Sequence, residues 1–195
     1  VNAGVTGLNL QRLKQFFYPK EPYEVMEKEL NGLSLSSAST TIASLGSLIC
    51  AEPAPLTIGG FVFKTPVNHE LTRADFVLSA IIDMAFSIHE NLKVLLEIDD
   101  NDTDFLWICG GGAQGRVFMQ ILANVLKMKL RIRTGFEQAS VNGAVKLCNK
   151  ALGIESDQTH NDYEEINWQD SPEIDLLYKK WKAVRQQFRA LQENE

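Results

Sequence analysis

No stretch of this sequence comes near the roughly 20 consecutive apolar residues of a membrane-spanning helix. None joins a basic start to an apolar core in the manner of a secretory leader. A cationic surplus is missing too: 19 Lys and Arg stand against 25 Asp and Glu, a formal net charge of −6. Nucleic-acid binding needs a basic face that displaces counterions. Neither a membrane nor a nucleic acid is therefore an expected partner. Cysteine and histidine are scarce, with three of each, and no pair has zinc-ligand spacing. Cys109 ends an apolar run, Cys148 falls on an apolar helix face and Cys50 stands apart. They read as buried thiols of a protein in the reducing cytoplasm. The loop "IDDNDTD" gathers Asp99, Asp100, Asp102 and Asp104. It lacks the central glycine and the closing glutamate of a calcium loop, so a solvated turn is expected.

What is present suits a globular domain: 195 residues, 45% hydrophobic and 23% charged. Residues 6–17 carry a leucine and phenylalanine stripe with Thr6 as cap, and a second helix should follow Pro22. The stretch 31–50 reads as loop plus a short strand, and "FVF" as another short strand between Gly and Pro signals. The longest helix starts at a capping box, Thr72 with Asp75, and is apolar on most of its turns. Strand 105–109, with Trp107 in the core, then leads to a glycine turn and a helix to about Lys127. A second strand "KLRIR" and a helix "VNGAVKLCNKAL" come next. Strand, helix, strand in this order predicts a parallel pair joined by a right-handed crossover. The stretch "GIESDQTHNDYEEINWQD" reads as irregular. A last helix has Ser171 as cap, Pro172 at its first position, and a stripe of Leu176, Leu177, Trp181, Val184, Phe188 and Leu191. His69 and His160 are expected in loops, and His89 at the edge of the long helix.

The segment "FLWICGGGAQGRVFMQIL" carries the chemistry. Glycines between a strand and a helix permit a sharp bend and leave no side chain in the way of a ligand. The N–H groups and dipole of the following helix favour an anion, so the turn has the shape of a nucleotide site. Gly110, Gly112 and Gly115 also satisfy G-x-G-x-x-G, and Arg131 and Arg133 on the next strand would suit the extra phosphate of NADP. An NADP-binding oxidoreductase domain is thus an alternative. Tight helix–strand packing is a purely structural one.

Four segments, with the closing helix, resemble the C-terminal domain of the FGGY carbohydrate kinases, in that family's order and spacing. "GVTGLNLQRLKQFF" is similar to its glycine-led helix, and "GGFVFKTPVNHELTRADFVLSAIIDMAFSIHENL" to its short strand and long central helix. "LWICGGGAQGRVFMQILANVLKMKLRI" resembles the adenosine motif, and "EQASVNGAVKL" the segment after it. The resemblance implies an α/β fold of the actin-like ATPase (ribonuclease H-like) type, a mixed sheet with flanking helices. It implies an ATP-dependent, Mg²⁺-assisted kinase that phosphorylates a sugar or polyol hydroxyl. Gly111 and Gly112 would lie against the ribose and α-phosphate. Ala113, Gln114 and Arg116 would border the ribose and adenine, and Gly7 and Gln11 would flank the adenine. Glu137, Ala139 and Gly143 would form the connecting segment.

Departures accompany the resemblance. "AEPAPLTIGGF" lacks the family's Asp-Pro and Arg, Arg12 replaces its usual Trp, and Ile82 its usual acid. The "GGGAQGR" turn and the missing Asp-Pro are similar to the autoinducer-2 kinases. In the family the catalytic base and most sugar contacts belong to an N-terminal domain, and Asp83, Asp99 and Asp170 do not match that base. The chain starts at Val1, in a loop running into a helix, and is expected to be a piece of a longer protein without its first strands. Residues 1–195 then form one C-terminal nucleotide-binding domain, inactive alone and prone to self-association, with a homodimer as one form. A non-catalytic actin-like module that kept the fold shares every one of these features.

Overall fold

The structure is a computed structural model and describes residues 6–35, 40–67, 70–98, 103–135, 138–154 and 162–194. Its elements are α1 (Thr6–Phe17), α2 (Tyr23–Asn31), β1 (Thr41–Ser44), β2 (Gly60–Phe63), α3 (Arg73–Leu96), β3 (Phe105–Ile108), a 3-10 turn (Gly111–Gln114), α4 (Arg116–Leu126), β4 (Lys129–Arg133), α5 (Ala139–Ala151), β5 (Tyr163–Ile166) and α6 (Pro172–Glu193).

Helix α3 is the axis of the molecule. It runs 24 residues without Gly or Pro, and every residue from Val77 to Ser87 is buried. At its start the Asp75 carboxylate accepts the Thr72 N–H at 2.8 Å and the Thr72 hydroxyl at 2.6 Å, as the capping pattern predicts. Helices α1, α2 and α4 and strand β1 pack around it, and α6 lies against β1. β1 and β2 form an antiparallel hairpin with Thr41 opposite Phe63.

Such a helix buries polar groups as well, and each needs partners. The Trp181 indole N–H donates to Asp83 at 2.8 Å, and the Leu45 N–H donates to the same carboxylate at 3.1 Å. Arg185, also buried, reaches Glu52 at 2.6 Å and the Ser47 carbonyl at 2.7 Å. These bonds fix α6 to the 44–52 loop. Phe86 packs against Trp181 and Tyr178, with ring centroids 5.4 and 5.2 Å away.

The second sheet has the order β3-β4-β5. β3 and β4 are parallel, with Phe105 opposite Lys129, as expected. β5 is antiparallel to β4 and falls inside the stretch expected to be irregular. Its alternation is weak because both central residues are acids, and cross-strand charge stabilises it instead: Arg131 holds Glu165 at 2.9 Å.

Other expectations change with packing. All three cysteines are exposed, not buried, because α5 has no buried residue and Cys109 leaves the sheet at its end. Trp107 is 46% exposed on the outer face of β3 and is not core. On α6 the stripe narrows to Ile174, Leu177, Trp181 and Val184, while Leu176 and Leu191 face solvent. Ser171 precedes α6, but its hydroxyl bonds Glu173 at 2.9 Å rather than the helix backbone. His89 is half-buried, edge-on to Tyr178. The acidic residues Asp99, Asp100 and Asp102, along with His69, His160 and Glu137, lie outside the described residues.

Candidate functional site

Three segments meet in one cavity of about 540 Å³. Gly7 and Gln11 sit one turn apart on α1, with Leu10 beside them. Tyr23, Met26, Glu27 and Leu30 fall at positions i, i+3, i+4 and i+7 of α2, so one helix face forms a wall. The glycine turn supplies Gly111, Gly112, Gln114 and Gly115, and α4 supplies Phe118. Ile81 of α3 closes the remaining side.

The turn folds this way because the chain leaves β3 at Ile108 and bends at Gly110, whose φ of +89° suits a residue without a Cβ. The next four residues tighten into a 3-10 turn, where the Ala113 N–H bonds the Gly110 carbonyl at 3.1 Å. A Cβ on Gly112 would meet the Phe118 ring at 3.7 Å, so the glycine leaves the space above it open.

Among the described residues, Glu27 is the one charged residue that lines the cavity, and no Lys or Arg lines it. Burial pushes the Glu27 carboxyl up from the ordinary value, while the Val117 and Arg116 backbone N–H groups pull it down. At one end of α2, Arg73 donates to Glu29 at 2.6 Å and to Glu21 at 2.8 Å, and its guanidinium lies 4.0 Å from the Tyr18 ring centre. Those bonds hold both carboxyls below the usual carboxylate range and join α2 to the start of α3.

Of the residues expected at the site, Gly7, Gln11, Gly111, Gly112 and Gln114 line the cavity. Ala113 and Arg116 do not. Ala113 is turned into the core at 3% exposure, because the 3-10 turn alternates its faces. Arg116 points outward and is paired with Glu164 of β5. The α2 wall went unnoticed in the sequence, although a lone acid among Tyr23, Met26 and Leu30 at helical spacing was its available signal. Arg131 and Arg133 are absent from this cavity. Arg131 is engaged by Glu165 and the Phe105 ring, and Arg133 lies over Trp107. The helix end expected to attract a phosphate is already faced by Glu27: its Oε1 lies 3.3 Å from where a Cβ on Gly115 would stand.

A mixed sheet, a long buried helix and a glycine turn over an open cavity define an α/β domain of the actin-like ATPase type. Residues 49–152 match the FGGY family of carbohydrate kinases, C-terminal domain, and the chain belongs to that family. It is 41% identical over 188 residues to the Bacillus subtilis (strain 168) protein named "Putative sugar kinase YoaC", covering 96% of this chain and 38% of that relative. Among solved structures it is similar to xylulose kinase from Rhodospirillum rubrum, with a TM-score of 0.65 and 18% identity over 95% of this chain and 38% of that one. Plasmodium falciparum glycerol kinase with ADP gives a TM-score of 0.66 and 16% identity over 98% of this chain and 37% of that one. At those identities the two structures speak for the fold alone. The chain thus spans less than two fifths of the length of these relatives.

Proposed function

We propose that this chain forms the adenine-nucleotide shelf of a kinase that transfers the γ-phosphoryl group of ATP to a hydroxyl of a sugar or polyol. One observation carries the reading. The glycine turn, α1 and α2 enclose a cavity whose size lies within the usual range for small-molecule sites. Leu10, Met26, Leu30, Ile81 and Phe118 give it apolar walls suited to a flat base, and the glycines leave room for a ribose. The Plasmodium glycerol kinase of the same fold was solved with ADP, which supports the same class of ligand here.

What this chain does in the reaction is to bind and orient. Among the described residues, no Lys or Arg lines its cavity to meet a transferring phosphoryl group. Asp83 is fully enclosed between Trp181 and Leu45 and is unsuited to take a proton from a sugar. The base and most of the sugar contacts are therefore assigned to the rest of the protein. Kinase chemistry of this family calls for Mg²⁺ beside the phosphates. Among the described residues no group of three or more His, Cys, Asp or Glu could hold a metal. The described residues do not fit such a site. The relative named "Putative sugar kinase YoaC" supports an acceptor of the sugar class. Three exposed thiols suit the reducing cytoplasm. A homodimer, where it forms, would use the exposed apolar residues Val141 and Val145 of α5 and Leu152 just beyond its end.

The test is a calorimetric titration of this chain with Mg-ADP beside NADP. ADP should bind, NADP should not, and Gly112→Trp should abolish the heat by filling the space below Phe118. Binding of NADP alone, or silence toward both, overturns the reading. ADP binding with no turnover in the full-length protein moves it to a non-catalytic module of the same fold.

A further inference from the structure

We propose that a second cavity, between the ends of β3 and β4 and one face of α5, binds a phosphate group carried by a small organic molecule.

This cavity measures about 360 Å³, within the usual range for small-molecule sites. It lies where the parallel strands β3 and β4 end, at the carboxyl edge where open α/β sheets receive ligands. Trp107 and Arg133 reach it from the strands. Ala139, Asn142, Gly143 and Lys146 fall at positions i, i+3, i+4 and i+7 of α5, so a single helix face forms the opposite wall. A Cβ on Gly143 would meet nothing within 4 Å, which leaves the middle of that wall open.

The charge of the lining has one sign. Among the described residues, Arg133 and Lys146 line the cavity and no Asp or Glu does, in a chain whose net charge is −6. The acids of β5 are engaged elsewhere: Glu164 pairs with Arg116, and Glu165 with Arg131. Arg133 and Lys146 form no ion pair among the described residues. Two unpaired cations in one recess raise the local potential and favour an anion. Arg133 is also held in place, with its guanidinium 4.5 Å from the centre of the Trp107 ring. A guanidinium offers a planar fork to phosphate oxygens and an ammonium adds a point charge, so the pair matches a phosphate. The Asn142 amide can bond the hydroxyls of an attached sugar.

Two sources present such a group. One is a nucleotide in the larger cavity, whose own lining has no Lys or Arg among the described residues and whose α4 end is faced by Glu27. Cys109 lines the second cavity and Gly111 the larger one, and the two residues are at most about 7 Å apart along the chain. A Cβ on Gly110 or Gly111 would meet nothing within 4 Å, so the way over the turn is open to a diphosphate. The other source is a phosphorylated sugar or polyol. Only the first source rests on the nucleotide reading.

The experiment titrates this chain with ADP, adenosine and glycerol 3-phosphate, beside the double variant Arg133→Gln with Lys146→Gln. Both side chains are exposed, so the variant should keep the fold. Lys20→Gln with Lys179→Gln removes the same charge outside both cavities and serves as the control. The Arg133 and Lys146 variant should bind ADP, glycerol 3-phosphate or both at least about tenfold more weakly, the worth of one charge-assisted hydrogen bond, and adenosine as tightly as before. A loss confined to ADP assigns the site to the phosphates of the nucleotide. A loss confined to glycerol 3-phosphate assigns it to a separate phosphorylated ligand. Unchanged affinity for both, or an equal loss for adenosine or in the control, overturns the proposal and leaves the nucleotide reading standing where ADP binds the wild type. Binding of glycerol 3-phosphate without ADP overturns the nucleotide reading alone, and silence toward both overturns the two together.

Discussion

Asp83 is a carboxylate enclosed by the Trp181 indole, the Leu45 N–H and the Ser47 hydroxyl, with the buried Arg185 guanidinium nearby. Burial pushes its pKa up from 3.8 to about 6, against the pull of those donors. The folded value is the higher one, so the folded state holds the proton more tightly. Below about pH 4 the residue is protonated in both states and costs nothing. As pH rises through 6 the folded state must carry the charge, and stability is lost, on the order of 3 kcal/mol in all. An Asp83→Asn variant lacks this step and can still accept from Trp181. Its stability deficit relative to the wild type, measured by urea unfolding, should shrink by about that amount between pH 4 and pH 7. A deficit that stays constant across that range would show that Asp83 does not titrate there. Neither Asp83 nor Glu27 was legible as special in the sequence. Each owes its burial to distant segments, and Trp181 stands 98 positions from Asp83. Gly7, Gln11, Gly112 and Gln114 were legible because the turn and its spacing are local.

At the scale of elements, the long helix, the parallel pair and the last helix follow from periodicity, caps and breakers, and the structure has all three. What local pattern could not show was partnership. β5 reads as acidic loop until Arg116 and Arg131 are set across from Glu164 and Glu165. α5 carries an apolar stripe in sequence yet buries nothing among the described residues. Helix α4 shows the reverse case, a local rule broken. It ends at Lys127 with φ 52° and ψ 38°, a left-handed cap that favours Gly over any side chain. The Lys127 side chain is exposed, so its removal disturbs no packing. Lys127→Gly should stabilise the chain by a few tenths to about 1 kcal/mol, the relieved strain less the added freedom of the unfolded glycine. The readout is the urea midpoint, with Lys127→Ala as the control that should gain nothing. Equal midpoints for the two variants would rule the strain out.

For the whole molecule, the legible part was the order of four segments, which was sufficient for the family. The three-dimensional part is that segments from residues 7–30 and 111–118 close on each other against Ile81 of the central helix. A ligand in that cavity bridges α1, α2 and the start of α4, three elements joined otherwise mainly through α3. Binding should therefore stabilise the folded chain as a unit. At an ADP concentration a hundredfold above Kd the gain is about 2.7 kcal/mol. For a chain of this size that corresponds to a rise in Tm of roughly 5–10 °C. Gly112→Trp should show no rise. The same samples, given Mg-ATP with glycerol or xylulose, should form no ADP. Among the described residues no cation lines the cavity, and the buried Asp83 is engaged by Trp181. A Tm shift without turnover is the outcome expected of a binding half. ADP formation above the level of the Gly112→Trp variant would mean that this chain holds a complete catalytic centre, and the division of labour proposed here would be wrong.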